Sequence, residues 1–132
     1  MIDKPDVDER TLAAEVAAAW AVDVTDLVFL PLGLDGDAWA YRVETSGERY
    51  FLKVRRGRFT PAAVLLPGFL RAHGVRQVVA PIDLPAGGTS RAFGGYELLL
   101  YPFHDGGSRW APGLTDRQWI EYGEFLGRLH AV

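Results

Sequence analysis

The sequence has no cysteine and no asparagine, and its 132 residues include a single methionine and three histidines. Without cysteine the chain has no disulfide bond, no thiolate zinc site and no cysteine nucleophile. No apolar run approaches the roughly 20 residues that a membrane-spanning helix needs, so we expect no membrane partner. The first ten residues are acidic and polar, unlike a signal or transit peptide, and we therefore expect a cytoplasmic location.

An excess of positive charge is also missing. The formal net charge is −3 and the isoelectric point is about 5.5, which argues against a nucleic-acid partner because such proteins usually carry a basic face. The one basic cluster lies at residues 53–58 and is either a solvated strand end or a surface that faces an anion. Because side chains alternate along a strand, Lys53 is separated from Arg56 and is the candidate for contact with an anion.

The composition, 48% apolar and 23% charged, indicates one globular domain. In its first half, apolar residues at four-residue steps predict an amphipathic helix over residues 8–20. A short apolar strand follows at residues 27–32. Two β-rich runs, 38–45 and 49–55, flank a Ser-Gly-Glu turn and predict a hairpin, since glycine tolerates the positive φ of a short turn.

The second half begins with Thr60 and Pro61, which predict the N-cap and first residue of a helix. Pro67 and Gly68 should kink or split this helix, because an interior proline removes a hydrogen bond and clashes with the preceding turn. Residues 78–84 and 96–101 are predicted strands. The residues between them, 85–95, are turn material with room for a short strand.

The chain ends in a flexible connector and a helix. Residues 102–113 are rich in glycine and proline, which indicates a hinge or linker, and Thr115 with Gln118 forms the capping box of a helix that continues to the chain end. We predict an α+β domain with about five mainly antiparallel strands, a kinked helix on one face, and helices at both termini. The predicted units are residues 1–101, the hinge 102–113, and 114–132, a first helix that leads toward a further lobe absent from this chain.

Seven short segments occur in an informative order: Leu32-Gly33 with Asp37-Ala38, Tyr41-Arg42-Val43, Tyr50-Phe51-Leu52-Lys53, Val64-Leu65-Leu66-Pro67, Val79-Ala80-Pro81-Ile82, Leu99-Leu100-Tyr101-Pro102-Phe103, and Leu114-Thr115-Asp116 through Leu129-His130-Ala131. In that order and spacing the chain resembles the amino-terminal, ATP-binding lobe of protein-kinase-like folds. It is most similar to the aminoglycoside phosphotransferase family, in its spectinomycin-phosphotransferase-like branch. The resemblance covers about the last hundred residues.

The resemblance implies a loop that covers the phosphates of ATP, with inward backbone N–H groups near Gly33, Gly36, Asp37 and Ala38. It also implies that Lys53 binds the α- and β-phosphates. The residues alone leave a plainer interpretation open, in which the glycines and aspartates form an ordinary turn and the lysine protects a strand edge.

The resemblance further places adenine against a hinge made of Leu100, Tyr101 and Phe103. Pro102 has no N–H, so we expect Tyr101 or Phe103 to supply the backbone donor. The two aromatic residues are equally well interpreted as members of the core. His104, in the turn that follows, either contacts ribose or is incidental.

Two departures from the family pattern limit what the chain does alone. No acidic residue lies between Glu48 and Asp83, so the glutamate that usually holds the lysine is absent or is replaced from elsewhere. No histidine is followed two residues later by aspartate, and asparagine is missing, so the chain supplies no catalytic base and no metal ligand. Magnesium would come with ATP through the missing lobe.

We therefore predict the ATP-binding lobe of a small-molecule O-phosphotransferase that is not catalytically competent alone. The missing lobe would bind the acceptor, an antibiotic-like or metabolite alcohol. One alternative is a degenerate lobe that acts as a protein-interaction module without nucleotide. Another is an enzyme completed by a separate carboxy-terminal lobe or by a second copy in a homodimer.

Overall fold

The computed structural model describes residues 3–32, 36–105 and 113–132, which form three helices and five strands. In chain order these are α1 Glu9–Trp20, β1 Val24–Leu30, β2 Ala38–Thr45, β3 Tyr50–Arg56, α2 Pro61–Ala72, β4 Ser90–Phe93, β5 Tyr96–Pro102 and α3 Asp116–Ala131. The strands form a single antiparallel sheet in the order β1-β2-β3-β5-β4. The predicted α+β fold with a five-stranded sheet is confirmed.

Helix α1 covers one face of this sheet. Its N-cap, Asp8, accepts a hydrogen bond from the Thr11 N–H, and it ends at Ala21, whose φ of 54° is left-handed. The predicted apolar residues of α1 are buried in one cluster with alternate residues of three strands, β2, β3 and β5. The buried side chains of this core are Leu12, Val16, Trp20, Trp39, Tyr41, Val43, Leu52, Val54, Leu98 and Leu100. The α1 face of the sheet is therefore the hydrophobic core.

The fourth strand differs from the prediction. Residues 78–84 form no strand, and β4 is instead the short segment Ser90–Phe93. Pro81 removes a backbone donor from the predicted segment and Pro85 follows it directly, while the β4–β5 hairpin occupies the edge of β5. Only the Ile82 N–H reaches that edge, at 2.7 Å from the Leu100 carbonyl oxygen. The apolar segment thus lies beside the sheet without extending it.

Helix α2 is continuous through Pro67, so the predicted split does not occur. A proline at this position costs one backbone hydrogen bond, and on a largely exposed helix water can satisfy the carbonyl that is left over. Leu70 is the one buried residue of α2, whereas Leu65, Leu66 and Phe69 are at least half exposed. The helix therefore adds little to the core.

The last helix, α3, begins with the predicted capping box. The Thr115 hydroxyl accepts from the Gln118 N–H, and the Gln118 side chain accepts from the Thr115 N–H at 2.8 Å. None of the α3 side chains is buried, and Trp119 and Ile120 are more than half exposed. The start of α3 is therefore set by its own capping residues, and no described part of the chain buries its apolar side chains.

Candidate functional site

The sheet face opposite α1 carries Lys53. Strand alternation puts Leu52 and Val54 into the core and turns Phe51 and Lys53 to the other side. Phe51 pairs with Tyr101 across β3 and β5, and their rings meet edge to face with centroids 6.2 Å apart. The lysine and two aromatic rings therefore share one surface.

This surface contains a cleft of about 330 Å³. It is lined by Phe51, Lys53, Val79, Tyr101, Pro102 and His104. Burial raises the pKa of the Tyr101 phenol, so this wall of the cleft stays neutral further into the alkaline range. The cleft combines flat apolar walls with one cation, an arrangement that suits a planar heterocycle carrying an anionic tail.

A larger depression of about 440 Å³ lies at the other end of the strands, beside the Gly94-Gly95 turn. Its lining includes three glycines, together with Arg58 and Glu97, whose opposite charges offer no net attraction for an anion. It also has no paired aromatic walls like those beside Lys53. We therefore place the candidate site at the Lys53 cleft.

In β5, successive residues direct their backbone N–H and C=O groups alternately toward β3 and toward the opposite edge of the strand. This alternation decides which backbone groups are available to a ligand in the cleft. The Gly57 N–H donates to the Gly95 carbonyl at 2.9 Å and the Phe103 N–H donates to the Arg49 carbonyl at 3.4 Å, so the odd-numbered residues of β5 are bonded to β3. The N–H groups of Tyr101 and Phe103, the expected hinge donors, consequently point at β3. By the same alternation the Pro102 carbonyl faces the opposite edge, and His104 lies beyond the end of β5.

The predicted hinge residues thus occupy different positions. Tyr101 lines the cleft, whereas the side chain of Leu100 is fully buried in the α1 face and its carbonyl accepts from Ile82. Phe103 lies just outside the cleft, with the Arg49 guanidinium 5.7 Å from its ring centroid. His104 lines the cleft directly.

Lys53 has an aromatic neighbour and, among the described residues, no carboxylate within ion-pair distance. Its Nζ lies 5.6 Å from the ring centroid of Phe59, in the loop between β3 and α2. The Phe59 N–H in turn donates to Glu97 Oε2 at 3.3 Å. The glutamate that the sequence lacks on α2 is therefore not supplied to Lys53 by any described residue.

The predicted phosphate loop is described in part. Gly33 lies outside the described residues, whereas nothing lies within 4 Å of the position that a Cβ on Gly36 would take. Asp37 is held at the base of the loop, because its carbonyl accepts from the Arg56 N–H at 2.8 Å and its carboxylate lies 3.5 Å from the Arg56 guanidinium. Ala38 begins β2 opposite Arg55.

Val79, Phe59 and Glu97 were not among the predicted site residues. Val79 follows α2 and reaches the cleft only because the chain returns to the Lys53 face after that helix. Glu97 is on the Lys53 face because β5 pairs with β3 in the observed register. That pairing is non-local, so the spacing of residues along the chain gives no signal for it.

The described residues contain neither a membrane-spanning helix nor a cluster of metal ligands. No helix among them has the length and apolar character to cross a membrane. Within residues 3–32, 36–105 and 113–132, no group of three or more histidine, aspartate or glutamate side chains is arranged to hold a metal ion.

The fold is shared with proteins of known structure. The chain is similar to a crystal structure of spectinomycin phosphotransferase APH(9)-Ia in complex with ADP and spectinomycin, at a TM-score of 0.88 and 20% identity, covering 96% of this chain and 39% of that one. It is also similar to the AMP-bound complex of APH(9)-Ia, at a TM-score of 0.80 and 19% identity, covering 92% and 37%.

At these identities the two solved structures establish the fold, the amino-terminal lobe of a kinase-like protein, and the chain spans less than half the length of each. No curated protein matches the sequence. The model of the phosphotransferase enzyme family, APH, matches residues 28–132. Because that match covers most of the sequence, the chain belongs to the APH phosphotransferase family.

Proposed function

We propose that this chain is the nucleotide-binding lobe of a small-molecule O-phosphotransferase and that it binds ATP in the Lys53 cleft. The observation that carries the proposal is the position of Lys53 on one sheet face with Phe51 and Tyr101, at a cleft that ends in the hinge. The two similar solved structures hold ADP or AMP, which supports a nucleotide as the ligand.

Adenine fits the apolar part of the cleft. Phe51, Val79 and Tyr101 offer apolar contact, and the backbone of Pro102 and His104, which also line the cleft, would supply a carbonyl acceptor and an N–H donor two residues apart. Adenine presents the complementary pair, an amino donor next to a ring-nitrogen acceptor. In this arrangement Leu100 supports the hinge from the core, and Phe103 with Arg49 fixes the chain beyond it.

The phosphates would extend from adenine toward Lys53 and the loop before β2. The backbone N–H groups of Gly36, Asp37 and Ala38 are the candidates to contact them, together with Gly33, as in other glycine-bearing anion loops. The carboxylate of Asp37 would repel phosphate, but its ion pair with Arg56 offsets this charge. The positive charge of Lys53 then dominates the cleft.

Magnesium would be held mainly by groups that this chain does not contain, because the described residues offer no ligand cluster. When bound with ATP, the ion neutralises charge on the β- and γ-phosphates. The contribution of this chain is to bind and orient the nucleotide. We therefore propose that the chain alone does not transfer phosphate, and that the acceptor, an antibiotic-like or metabolite alcohol, binds to a carboxy-terminal lobe.

Calorimetric titration with MgATP, MgADP and adenosine tests nucleotide binding. Lys53→Ala should weaken MgATP binding at least tenfold, about 1.4 kcal/mol, and leave adenosine binding unchanged. The chain has one other lysine, Lys4, which pairs with Glu9 on α1, so Lys4→Ala is the matched control and should bind like the wild type. No binding at millimolar MgATP, or equal weakening by both substitutions, would refute the proposal.

A second candidate is favoured by the exposed apolar side chains of α2 and α3. Leu65, Phe69, Trp119 and Ile120 are each at least half exposed, which is unusual unless another surface covers them. A protein-interaction module would self-associate through these residues and would ignore nucleotide. Sedimentation at several concentrations, with and without MgATP, separates the two candidates, because a nucleotide-binding lobe binds MgATP in either oligomeric state.

A further inference from the structure

The side chain of Lys53 needs a partner that holds it toward phosphate. A lysine has four rotatable side-chain bonds, and fixing them when the ligand arrives lowers affinity. Helix α2 contains no acidic residue, so it cannot supply an ion pair. The contacts of Lys53 therefore decide how well the phosphate site is preorganised.

We propose that Phe59 is the positioning residue for Lys53 and that Glu97 fixes Phe59 in place; this inference rests on the nucleotide-binding function proposed above. The half-buried Phe59 ring lies 5.6 Å from Lys53 Nζ, within the range at which an aromatic ring attracts an ammonium group. A residue of the loop between β3 and α2 thus positions Lys53, as an acidic side chain on α2 otherwise would.

An aromatic partner differs physically from a carboxylate. A carboxylate cancels the charge of the ammonium and competes with phosphate for its N–H donors. A ring contacts the ammonium from one side, leaves its net charge unchanged and uses no strong acceptor. Lys53 would therefore be held in position with its full charge available to the nucleotide.

Glu97 acts through the backbone of Phe59. Its Oε2 accepts from the Phe59 N–H at 3.3 Å, directly before Thr60, the N-cap of α2. The β3–β5 register places Lys53 opposite Leu99, so Glu97 is two residues along β5 on the same face. A direct ion pair between Glu97 and Lys53 is the rival arrangement, and the two make opposite predictions for substitutions.

Titrations of MgADP and adenosine into four variants distinguish these arrangements. Phe59→Leu removes the ring at similar volume and should weaken MgADP about three- to tenfold without changing adenosine affinity. Phe59→Tyr keeps the ring and should bind like the wild type. Glu97→Gln keeps an oxygen acceptor for the Phe59 N–H and should bind nearly like the wild type, whereas Glu97→Ala should weaken MgADP. Urea unfolding of each variant establishes that it is folded.

The opposite pattern would overturn the inference. If Glu97 pairs directly with Lys53, Glu97→Gln should weaken MgADP as much as Glu97→Ala, and Phe59→Leu should have no effect. Equal loss of adenosine and MgADP binding in Phe59→Leu would also contradict it, because a general disturbance of the cleft affects both ligands, whereas the position of Lys53 affects only the phosphates.

A nucleotide-free measurement separates this inference from the function on which it rests. In proton–carbon spectra the Cε protons of Lys53, assigned with Lys4→Ala, should be shifted upfield by the Phe59 ring, and the shift should vanish in Phe59→Leu. A shifted signal in a protein that binds no nucleotide would refute the proposed function and support the Phe59 contact. An unshifted Lys53 signal in the wild type would refute the inference even if MgADP binds.

Discussion

The two faces of the sheet are built from the same strands but differ in what covers them. On the α1 face, Leu52 and Val54 are fully buried beneath a helix. On the opposite face, their neighbours Phe51 and Lys53 are only partly covered and border an open cleft. One strand therefore contributes to the hydrophobic core with one set of side chains and to the candidate site with the other.

The distribution of polar groups sharpens this contrast. Among the described residues, no polar or charged residue other than tyrosine and tryptophan is buried, and the α1 face is almost entirely apolar. The Lys53 face carries Lys53, Arg55 and Glu97 on adjacent strands. Because an apolar core tolerates ligand-binding charges poorly, confining them to the second face lets the fold stay stable while the site remains hydrated.

The largest effect on stability should come from the α1 face. Trp20 is 5% exposed, and its indole N–H donates to the Ile82 carbonyl at 3.1 Å, which ties α1 to the segment beside β5. Trp20→Ala should lower the free energy of unfolding by about 3–5 kcal/mol, because it leaves a large cavity. Urea denaturation measures this loss.

Trp119→Ala is the matched control, since Trp119 is 57% exposed on α3. Its effect should stay within about 0.5 kcal/mol, as is usual for surface substitutions. Similar losses for the two tryptophans would mean that α3 packs as firmly as α1, and the proposed division between a stabilising face and a binding face would fail.

The second prediction concerns the cleft alone. Val79 is 45% exposed and lines the cleft, so a larger side chain there should occupy the space proposed for adenine. Val79→Phe should weaken MgATP binding about tenfold, or 1.4 kcal/mol, with little change in the free energy of unfolding. Calorimetry and urea denaturation measure the two quantities.

Val132→Phe makes the same exchange at a residue with similar exposure, 48%, outside the cleft, and it should bind MgATP like the wild type. Unchanged affinity in Val79→Phe would mean that nucleotide binds elsewhere on the chain. A large loss of stability in Val79→Phe would instead show that the side chains around the cleft are tightly packed and contribute to the stability of the fold.

The sequence signals that succeeded are local. The amphipathic spacing of Leu12, Val16 and Trp20 predicted α1, and the glycine turn before β3 predicted the hairpin that brings Lys53 beside β2. Alternation along β3 then separated Lys53 from the core side chains. These features depend on neighbours in the chain, so periodicity and turn chemistry are enough to predict them.

The features that the sequence did not predict depend on competition between distant segments. The apolar residues 78–84 have strand-like composition, yet the Gly94-Gly95 turn pairs Ser90–Phe93 with β5 and leaves the apolar segment one backbone hydrogen bond to β5, at Ile82. The same observed pairing of β5 with β3 decides which hinge N–H groups face β3, and it puts Glu97 on the Lys53 face. The order of strands in the sheet, and which residues of a strand bond to which neighbour, depend on non-local pairing. The spacing of residues along the chain does not encode them.

The smallest predicted effect tests the hydroxyl of Tyr41, a polar group inside the α1 face. Tyr41 is fully buried, and among the described residues its hydroxyl has no hydrogen-bond partner. A buried hydroxyl without a partner is destabilising, so Tyr41→Phe should raise the free energy of unfolding at pH 7 by about 1 kcal/mol. A less stable Tyr41→Phe protein would show that the hydroxyl is bonded after all.

The same substitution should change the alkaline limit of stability. Burial, with a smaller contribution from the charge of Glu9, raises the pKa of Tyr41 from 10.0 to about 12, so the folded state keeps the phenol neutral where the unfolded chain ionises it. Keeping the phenol neutral therefore costs no stability below pH 10, and the free energy of unfolding falls as the pH rises from 10 toward 12. Tyr41→Phe removes this loss, so its excess free energy of unfolding over the wild type, measured with urea, should grow across that range.

An excess that stays constant from pH 9 to pH 12 would contradict this prediction. It would mean that Tyr41 ionises as readily in the folded protein as in the unfolded chain, and the α1 face would then be open to water at its centre.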